Sequence, residues 1–380
     1  MSNPEPPDWR KVRAEFPSLA NWTFLNTATF GQLSRRATEA VAGHFAHRDE
    51  LACADFVQWF DQADQVRESA AKLIGAEAAD IAFIPTASHA LAQLINGIDW
   101  RPGDRIVTLD HEFPNQIYRP ALLEKHGVEF VETPWERFAE AVDERTRLVA
   151  ISAMSYVTGF RAPVDEMGRI CRERGALFYL DGTQGCGALE FDMAAIQPDV
   201  FAVHGYKWML APNGIGFMYV APGAREWLEP AVVGWRSDRN WREVDHLRHG
   251  APEFSGAAEK YEAGMLAHSL IFAMGASLDL FHELGMAAIE RRVMALAVRT
   301  RETLEELGGE FLPGPHYDSP ILAAKFDGHD ASALSVALKS RGVLVSARHG
   351  RLRVSPHFYN DESDIARLGE ELRKLLRQTI

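Results

Sequence analysis

Cysteine is scarce: Cys53, Cys171 and Cys186 are the only three in 380 residues. None falls in a C-x-x-C pair or at zinc-ligand spacing, which excludes a disulfide framework and a structural zinc site. Such a count fits reduced thiols. Residues 1–9 are polar and Pro-rich with no apolar signal core, so we expect a cytoplasmic protein. The 14 histidines include no H-E-x-x-H pattern, and no metal is expected. No run of about eighteen apolar residues occurs, so no membrane partner is expected. No G-x-G-x-x-G follows the first strand, which counts against a dinucleotide-binding dehydrogenase. Acidic residues outnumber basic ones, 53 to 40, and the net charge of −13 argues against a nucleic-acid partner. Internal repeats and low-complexity segments are absent as well.

What is present is ordinary for a chain with a sizeable core: 47% hydrophobic and 24% charged residues. Helical periodicity covers residues 34–47 and 61–74, with Gly75 as a stop. Short apolar runs then alternate with amphipathic segments. Strands are expected at 81–84, 105–109, 128–131, 148–152, 177–180, 200–203 and 216–220, with helices at 90–98 and 164–174. Near-continuous apolar strands between helices predict an α/β fold with a mainly parallel seven-stranded sheet covered on both faces. After Pro222 the pattern changes. Residues 227–249 are irregular, 259–284 and 287–307 read as long helices, and short strands alternate with helices from 321 to 377. This predicts a smaller α+β C-terminal unit. We place the large unit at 20–255 and the small one at 1–19 with 256–380.

Open α/β sheets bind ligands at the carboxyl ends of their strands, and chemistry-bearing residues collect there. Asp181 ends the run Leu177-Phe178-Tyr179-Leu180, and one strand later Lys207 stands in His204-Gly205-Tyr206-Lys207-Trp208. A lysine amine can form a Schiff base with the aldehyde of pyridoxal phosphate. A carboxylate can keep the pyridine nitrogen protonated, so that the ring accepts electrons. Thr86-Ala87-Ser88-His89 lies between a strand and a helix, where main-chain N–H groups and the Ser88 hydroxyl suit a phosphate. An ordinary Ser/Thr helix cap is the other reading of the same residues. Phe113, in Asp110-His111-Glu112-Phe113-Pro114, can lie over a flat ring or fill a core. Gln184 can donate to a ring oxygen, and His204 and Tyr206 to a phosphate. Arg353 has the planar fork that grips a carboxylate, although on an alternating strand it can equally be a surface residue.

Together these segments resemble the class V aminotransferase family of pyridoxal phosphate enzymes, over about residues 24–376. That family includes cysteine desulfurases, isopenicillin N epimerase, kynureninase and several C–S lyases. The resemblance implies the type I fold of pyridoxal phosphate-dependent transferases. It makes Lys207 the Schiff-base lysine, Asp181 the pyridinium partner and Gln184 the contact to the phenolic oxygen. Ala87, Ser88, His204 and Tyr206 become phosphate contacts. Phe113 resembles the stacking aromatic of the kynureninase-like branch, with His111 as the desulfurase-like alternative. Arg353, in Arg353-Val354-Ser355-Pro356-His357, resembles the substrate-carboxylate arginine. Asn26 and Tyr156 are substrate-pocket candidates, as are Thr29, Trp235 and Arg236. A homodimer with its active site at the subunit boundary is also implied.

The chain departs from the family pattern at three places. Met265 stands where many relatives have a threonine that reaches the partner's phosphate. Tyr156 replaces an asparagine of the desulfurases. The segment 340–352, where desulfurases carry a nucleophilic cysteine, has none. Persulfide transfer needs a mobile thiolate, so the standard desulfurase route is disfavoured. We expect an amino-acid enzyme working through an external aldimine and a quinonoid, read as a lyase or epimerase ahead of a true aminotransferase. A pyridoxal-fold protein that binds without turnover is the reading from another class.

Overall fold

The computed structural model describes residues 6–377, so the first five and last three residues of the small unit expected from the sequence lie outside the described residues. The first strand, β1 (Thr23–Phe24), is followed by β2 (Ile81–Ile84), β3 (Arg105–Leu109), β4 (Glu129–Thr133), β5 (Thr146–Ser152), β6 (Leu177–Asp181), β7 (Val200–His204) and β8 (Gly216–Val220). The last seven of these form one sheet in the order β2-β8-β7-β6-β5-β3-β4. Only β8 runs against its neighbours. All seven expected strands are present, and the sheet is mainly parallel.

Alternation along each strand explains why both faces are dry. Val107, Val149, Ile151, Phe178, Leu180, Phe201 and Val203 enter one core cluster. Their chain neighbours Ile106, Leu148, Ala150, Tyr179, Val200 and Ala202 enter a second. Successive side chains point to opposite faces, so runs with no polar residue are what a sheet sandwiched between helices requires.

The remaining strands are β9 (Gly309–Glu310), β10 (Leu322–Phe326), β11 (Val343–Leu344), β12 (Ser346–Arg348) and β13 (Arg351–Val354). A four-stranded sheet runs β12-β13-β10-β9, and β1 pairs with β11. Leu322, Ala324, Leu352 and Val354 meet Leu334, Leu338, Leu368 and Leu372 of the helices Ala331–Ser340 and Glu362–Leu376 in a third core.

The helix His268–Leu284 packs on Arg35–Leu51 and Phe56–Leu73 and shares the first core. Within the next helix, Met286–Glu306, Ile289 and Val293 belong to the first core, and Ala297 and Leu304 to the third. We therefore propose that the boundary between units falls inside that helix rather than at residue 256.

The long helix expected over 259–284 is broken. A 3-10 turn at Ala258–Glu262 ends at Ala263, whose φ of 57° is left-handed, and the α-helix starts only at His268. A tertiary ion pair overrides the local helix preference here. The Glu262 carboxylate is drawn inward, accepting from Arg67, from Arg236 at 2.7 Å and from the Phe83 main-chain N–H at 2.8 Å.

Candidate active site

A cavity of about 130 Å³ opens at the carboxyl ends of β5, β6 and β7. Nine residues singled out in the sequence line it: Ala87, Ser88, Phe113, Tyr156, Asp181, Gln184, His204, Tyr206 and Lys207. Strand register explains part of this. Ser152 and Asp181 are paired neighbours at the ends of β5 and β6, and Asp181 pairs with Ala202 on β7.

Lys207 is buried, and burial pushes its amine down to about 8; Asp181 raises it, and Arg353 and Arg348 lower it further. No Lys207–Asp181 ion pair forms, so the amine and the carboxylate face the cavity apart. Asp181 Oδ1 accepts from the Thr183 main-chain N–H and Oδ2 from Gln116 Nε2, both at 2.9 Å. Each oxygen has a second lone pair, so the carboxylate keeps capacity for a ring N–H.

The Gln184 amide has a fixed orientation. Trp208 Nε1, which can only donate, gives its hydrogen to Gln184 Oε1 at 2.7 Å. Gln184 Nε2 donates one hydrogen to the Ala28 carbonyl at 2.9 Å and has a second for a ligand oxygen. His204 is pushed down to about 4 by burial and by Lys207, so its ring is neutral. Its Nε2 accepts from the Gly214 N–H at 3.4 Å, which leaves the proton on Nδ1 as a donor. The helix Ala87–Gly97 is capped by the Thr86 hydroxyl, which accepts from the His89 N–H at 3.2 Å. The cap satisfies only one of the helix's orphan amides; the others, with the Ser88 hydroxyl, make an anion site beside the cavity.

Of the two stacking candidates, Phe113 lines the cavity and His111 does not. Lys207 Nζ lies 5.6 Å from the Phe113 ring centroid, and Tyr156 meets that ring edge-on at 5.2 Å. His111 lies instead in a neighbouring cavity of about 270 Å³, with Trp135 and Tyr317.

Arg353 is 1% exposed and lies outside the cavity lining. Its Nε donates to Ser346 Oγ at 3.1 Å, its Nη1 to the Tyr156 carbonyl and its Nη2 to Thr29 Oγ1, both at 2.5 Å. Two N–H bonds of the five remain. Burial, then Arg348, pulls its pKa down to about 9. Asn26 also lies outside the lining: it bridges to Ser355 in the main chain, and its buried Oδ1 has no partner. Arg236 is not a pocket residue. It is 1% exposed, paired with Glu262 and stacked 4.2 Å over Trp241, and Trp235 packs edge-on against Phe60 and Trp241. Met265 is 63% exposed. Cys186 is buried, with its thiol pushed well up by burial, and burial pushes Cys171 up to about 12.

Several lining residues escaped the sequence reading. No helix was expected after Phe113, where the chain forms the helix Pro114–Ala121. Proline at the first helical position is the signal that could have exposed it. That helix sets Asn115 in the cavity wall, with a buried Nδ2 that has no partner, and puts Gln116 beneath Asp181. Thr86, Ser152 and Thr183 also line the cavity.

The residues fit a phosphorylated pyridine aldehyde. They supply a buried amine, a carboxylate with spare acceptor capacity, an orphaned Asn115 donor, an aromatic wall and a helix-end anion site. A family model described as Aminotransferase class-V matches residues 47–368. The chain belongs to the class-V aminotransferase family. This is a family of pyridoxal phosphate enzymes, and in fold, cofactor and enzymatic character it agrees with the expectation from the sequence.

Among its relatives, isopenicillin N epimerase of Streptomyces clavuligerus is 30% identical, the match covering 97% of this chain and 98% of that protein. A probable cysteine desulfurase of Methanothermobacter thermautotrophicus is 27% identical, covering 96% and 97% respectively. Among solved structures, the apo cysteine desulfurase of Thermococcus onnurineus NA1 superposes with a TM-score of 0.87 at 20% identity, covering 99% of this chain and all 100% of that one. The cystine C–S lyase C-DES, in complex with its product cysteine persulfide, gives 0.86 at 23% identity, covering 94% and 99%.

Proposed function

We propose that this family member binds pyridoxal phosphate at Lys207 and acts on an amino acid as a lyase or epimerase. One observation carries the reading: the depressed Lys207 amine and the Asp181 carboxylate line one cavity without pairing to each other. Lys207 would hold the cofactor aldehyde carbon, Asp181 its ring nitrogen, Gln184 its phenolic oxygen and Phe113 its face. Ala87, Ser88, His204 and Tyr206 would hold its phosphate. When bound, the group supplies an aldehyde that links to amines and a cationic ring that accepts an electron pair.

The protein does the rest. Arg353 presents two free N–H bonds to the α-carboxylate and orients the substrate. Lys207 Nζ, near 8 and hence partly unprotonated at neutral pH, takes the proton from the α-carbon and can return it. Tyr156 and Phe113, packed edge-on at 5.2 Å, form the aromatic side of the cavity. Asn26 is a further candidate for substrate contact, since its Oδ1 has no partner.

The names of relatives support the lyase-or-epimerase reading over transamination. The full-length relatives bear the names of an epimerase and a desulfurase. The absence of cysteine from 340–352, with Cys171 and Cys186 buried, argues for chemistry without an enzyme persulfide. A homodimer fits the exposed apolar side chains near the mouth: Phe30, which packs on Tyr206, and Phe113. We also place the protein in the cytoplasm, without nucleic-acid or membrane partners.

Borohydride treatment of the holoenzyme should fix a cofactor-mass adduct on the Lys207 peptide. A panel of amino acids then separates the reactions: a keto acid with ammonia marks a lyase, inverted stereochemistry an epimerase, and a keto acid without ammonia a transaminase. A variant with Ala at positions 53, 171 and 186 should keep its turnover. Loss of turnover in a folded cysteine-free variant would restore the persulfide route.

A further inference from the structure

Arg353 is not the only unpaired cation beside this cavity. β12 and β13 pair antiparallel, with Ser346 opposite Arg353 and Arg348 opposite Arg351. Opposed residues share a sheet face, as do residues two apart on a strand. Ser346, Arg348, Arg351 and Arg353 therefore project to one side. Leu352 and Val354 take the other side, inside the third core. Arg351 turns across the sheet, where its Nη1 donates to the carbonyls of Glu310 and Ala323.

Arg348 makes no such bond across the sheet. It is half-buried, and its Nη1 donates only to the Ala347 carbonyl, at 2.7 Å. Among the described residues no carboxylate pairs with Arg348 or with Arg353. Its charge is close enough to depress both Lys207 and Arg353. The next residue, His349, sets its ring edge-on to Tyr156 at 6.5 Å, which ties this hairpin to the cavity wall.

Arg353 is desolvated without a counter-ion, and the half-buried Arg348 on the same sheet face also has none, so the pair can take two anionic groups. The cofactor phosphate is assigned to the helix end at Ala87 and Ser88 and does not serve them. An α-carboxylate satisfies one. We propose that the substrate is an acidic amino acid, with Arg353 holding its α-carboxylate and Arg348 its side-chain carboxylate. This rests on reading the cavity as an amino-acid site.

Calorimetry on the holoenzyme tests it with amine-free ligands: four- and five-carbon dicarboxylates against monocarboxylates of equal length. The dicarboxylates should bind about tenfold tighter or better, the scale of one charge-assisted contact. Arg348→Gln should erase that ratio while leaving monocarboxylate affinity within about twofold. Arg353→Gln should weaken both ligands. Equal affinities in the native enzyme, no dicarboxylate binding, or an undiminished ratio in Arg348→Gln overturns the proposal. Thermal melting and the borohydride-fixed adduct at Lys207 are measured on the same samples. Failure of the adduct counts against the cofactor reading, and failure of the ratio counts against the acidic substrate.

Discussion

Glu112 and Ser152 are joined by two hydrogen bonds of 2.6 Å: the Ser152 main-chain N–H donates to Oε1, and its hydroxyl to Oε2. The same carboxylate accepts from the Phe113 N–H at 3.1 Å. Glu112 thus ties the end of β5 to the residue that forms the aromatic wall. Burial raises its carboxyl from 4.5 to about 7, with Asp181 adding to the effect and the three hydrogen bonds opposing it.

Between pH 4.5 and about 7 the folded chain keeps a proton that the unfolded chain has released. The stabilisation is full below that window and is lost as pH rises through it, by roughly 1.4 kcal/mol per pH unit. Glu112→Gln cannot titrate. In urea melts at pH 5, 6, 7 and 8, the stability difference between native and variant should therefore shrink as pH rises. A constant difference would show that Glu112 is ionised throughout.

Gly31 and Lys207 make a second constraint on the site. A Cβ built on Gly31 would stand 2.0 Å from the Lys207 carbonyl oxygen and 2.7 Å from a Leu210 methyl. Gly31 N–H also donates to the Tyr206 carbonyl at 2.8 Å. Gly31→Ala must push the Lys207 segment away. We expect it to cost about 1–3 kcal/mol of stability and to weaken cofactor binding at least about tenfold, read from cofactor absorbance during dialysis. Gly43→Ala is the control. It lies in the helix Arg35–Leu51 with nothing within 4 Å of the added methyl, and it should stabilise by about 0.5–1 kcal/mol.

How much of this was legible beforehand divides by the range of the interaction. Strands such as Leu177–Asp181 and Val200–His204 carry their signal locally, as apolar runs, and all seven strands of the large sheet were expected, whereas the two- and three-residue strands Thr23–Phe24, Gly309–Glu310 and Ser346–Arg348 were not. Lys207, Asp181 and Gln184 were legible because each follows such a strand at a short interval. Glu112 and Gln116 were not, because their roles come from partners far along the chain. Glu112 reaches Ser152 over forty residues, and Gln116 reaches Asp181 over sixty-five. Arg236 misled for the same reason: a tryptophan–arginine pair in an irregular stretch reads as pocket chemistry until Glu262 is seen to hold it. The break at Ala263 was hidden by the same carboxylate.

That carboxylate gives a third prediction. Glu262 is buried between Arg67 and Arg236, each of which pairs with it, and it remains ionised because their charges outweigh the cost of burial. Glu262→Gln leaves Arg236 buried without a counter-ion and Arg67 with only the partly exposed Asp64, at 3.4 Å. Removing one partner of a buried ion pair costs about 3–5 kcal/mol, so the denaturation midpoint should fall sharply. Replacing Arg67, Glu262 and Arg236 together with apolar residues should recover part of the loss. If Glu262→Gln alone is neutral, the cluster contributes nothing to stability.

The last prediction concerns the proton on Lys207. Only the neutral amine can attack an aldehyde, and burial places its pKa at about 8. With apo protein and added pyridoxal phosphate, the rate of forming the borohydride-fixed adduct should rise nearly tenfold per pH unit below about 8 and level off above it. The neighbouring charges fix the direction in which variants move this midpoint. Asp181 stabilises the ammonium, so Asp181→Asn should shift the midpoint to lower pH. Arg348 opposes the ammonium, so Arg348→Gln should shift it to higher pH. Opposite displacements from two single substitutions cannot come from a general loosening of the fold, which would move both midpoints up toward the ordinary lysine value of 10.5. If both variants move the midpoint up, the field at Lys207 is set by burial alone, and the electrostatic coupling across the cavity is wrong.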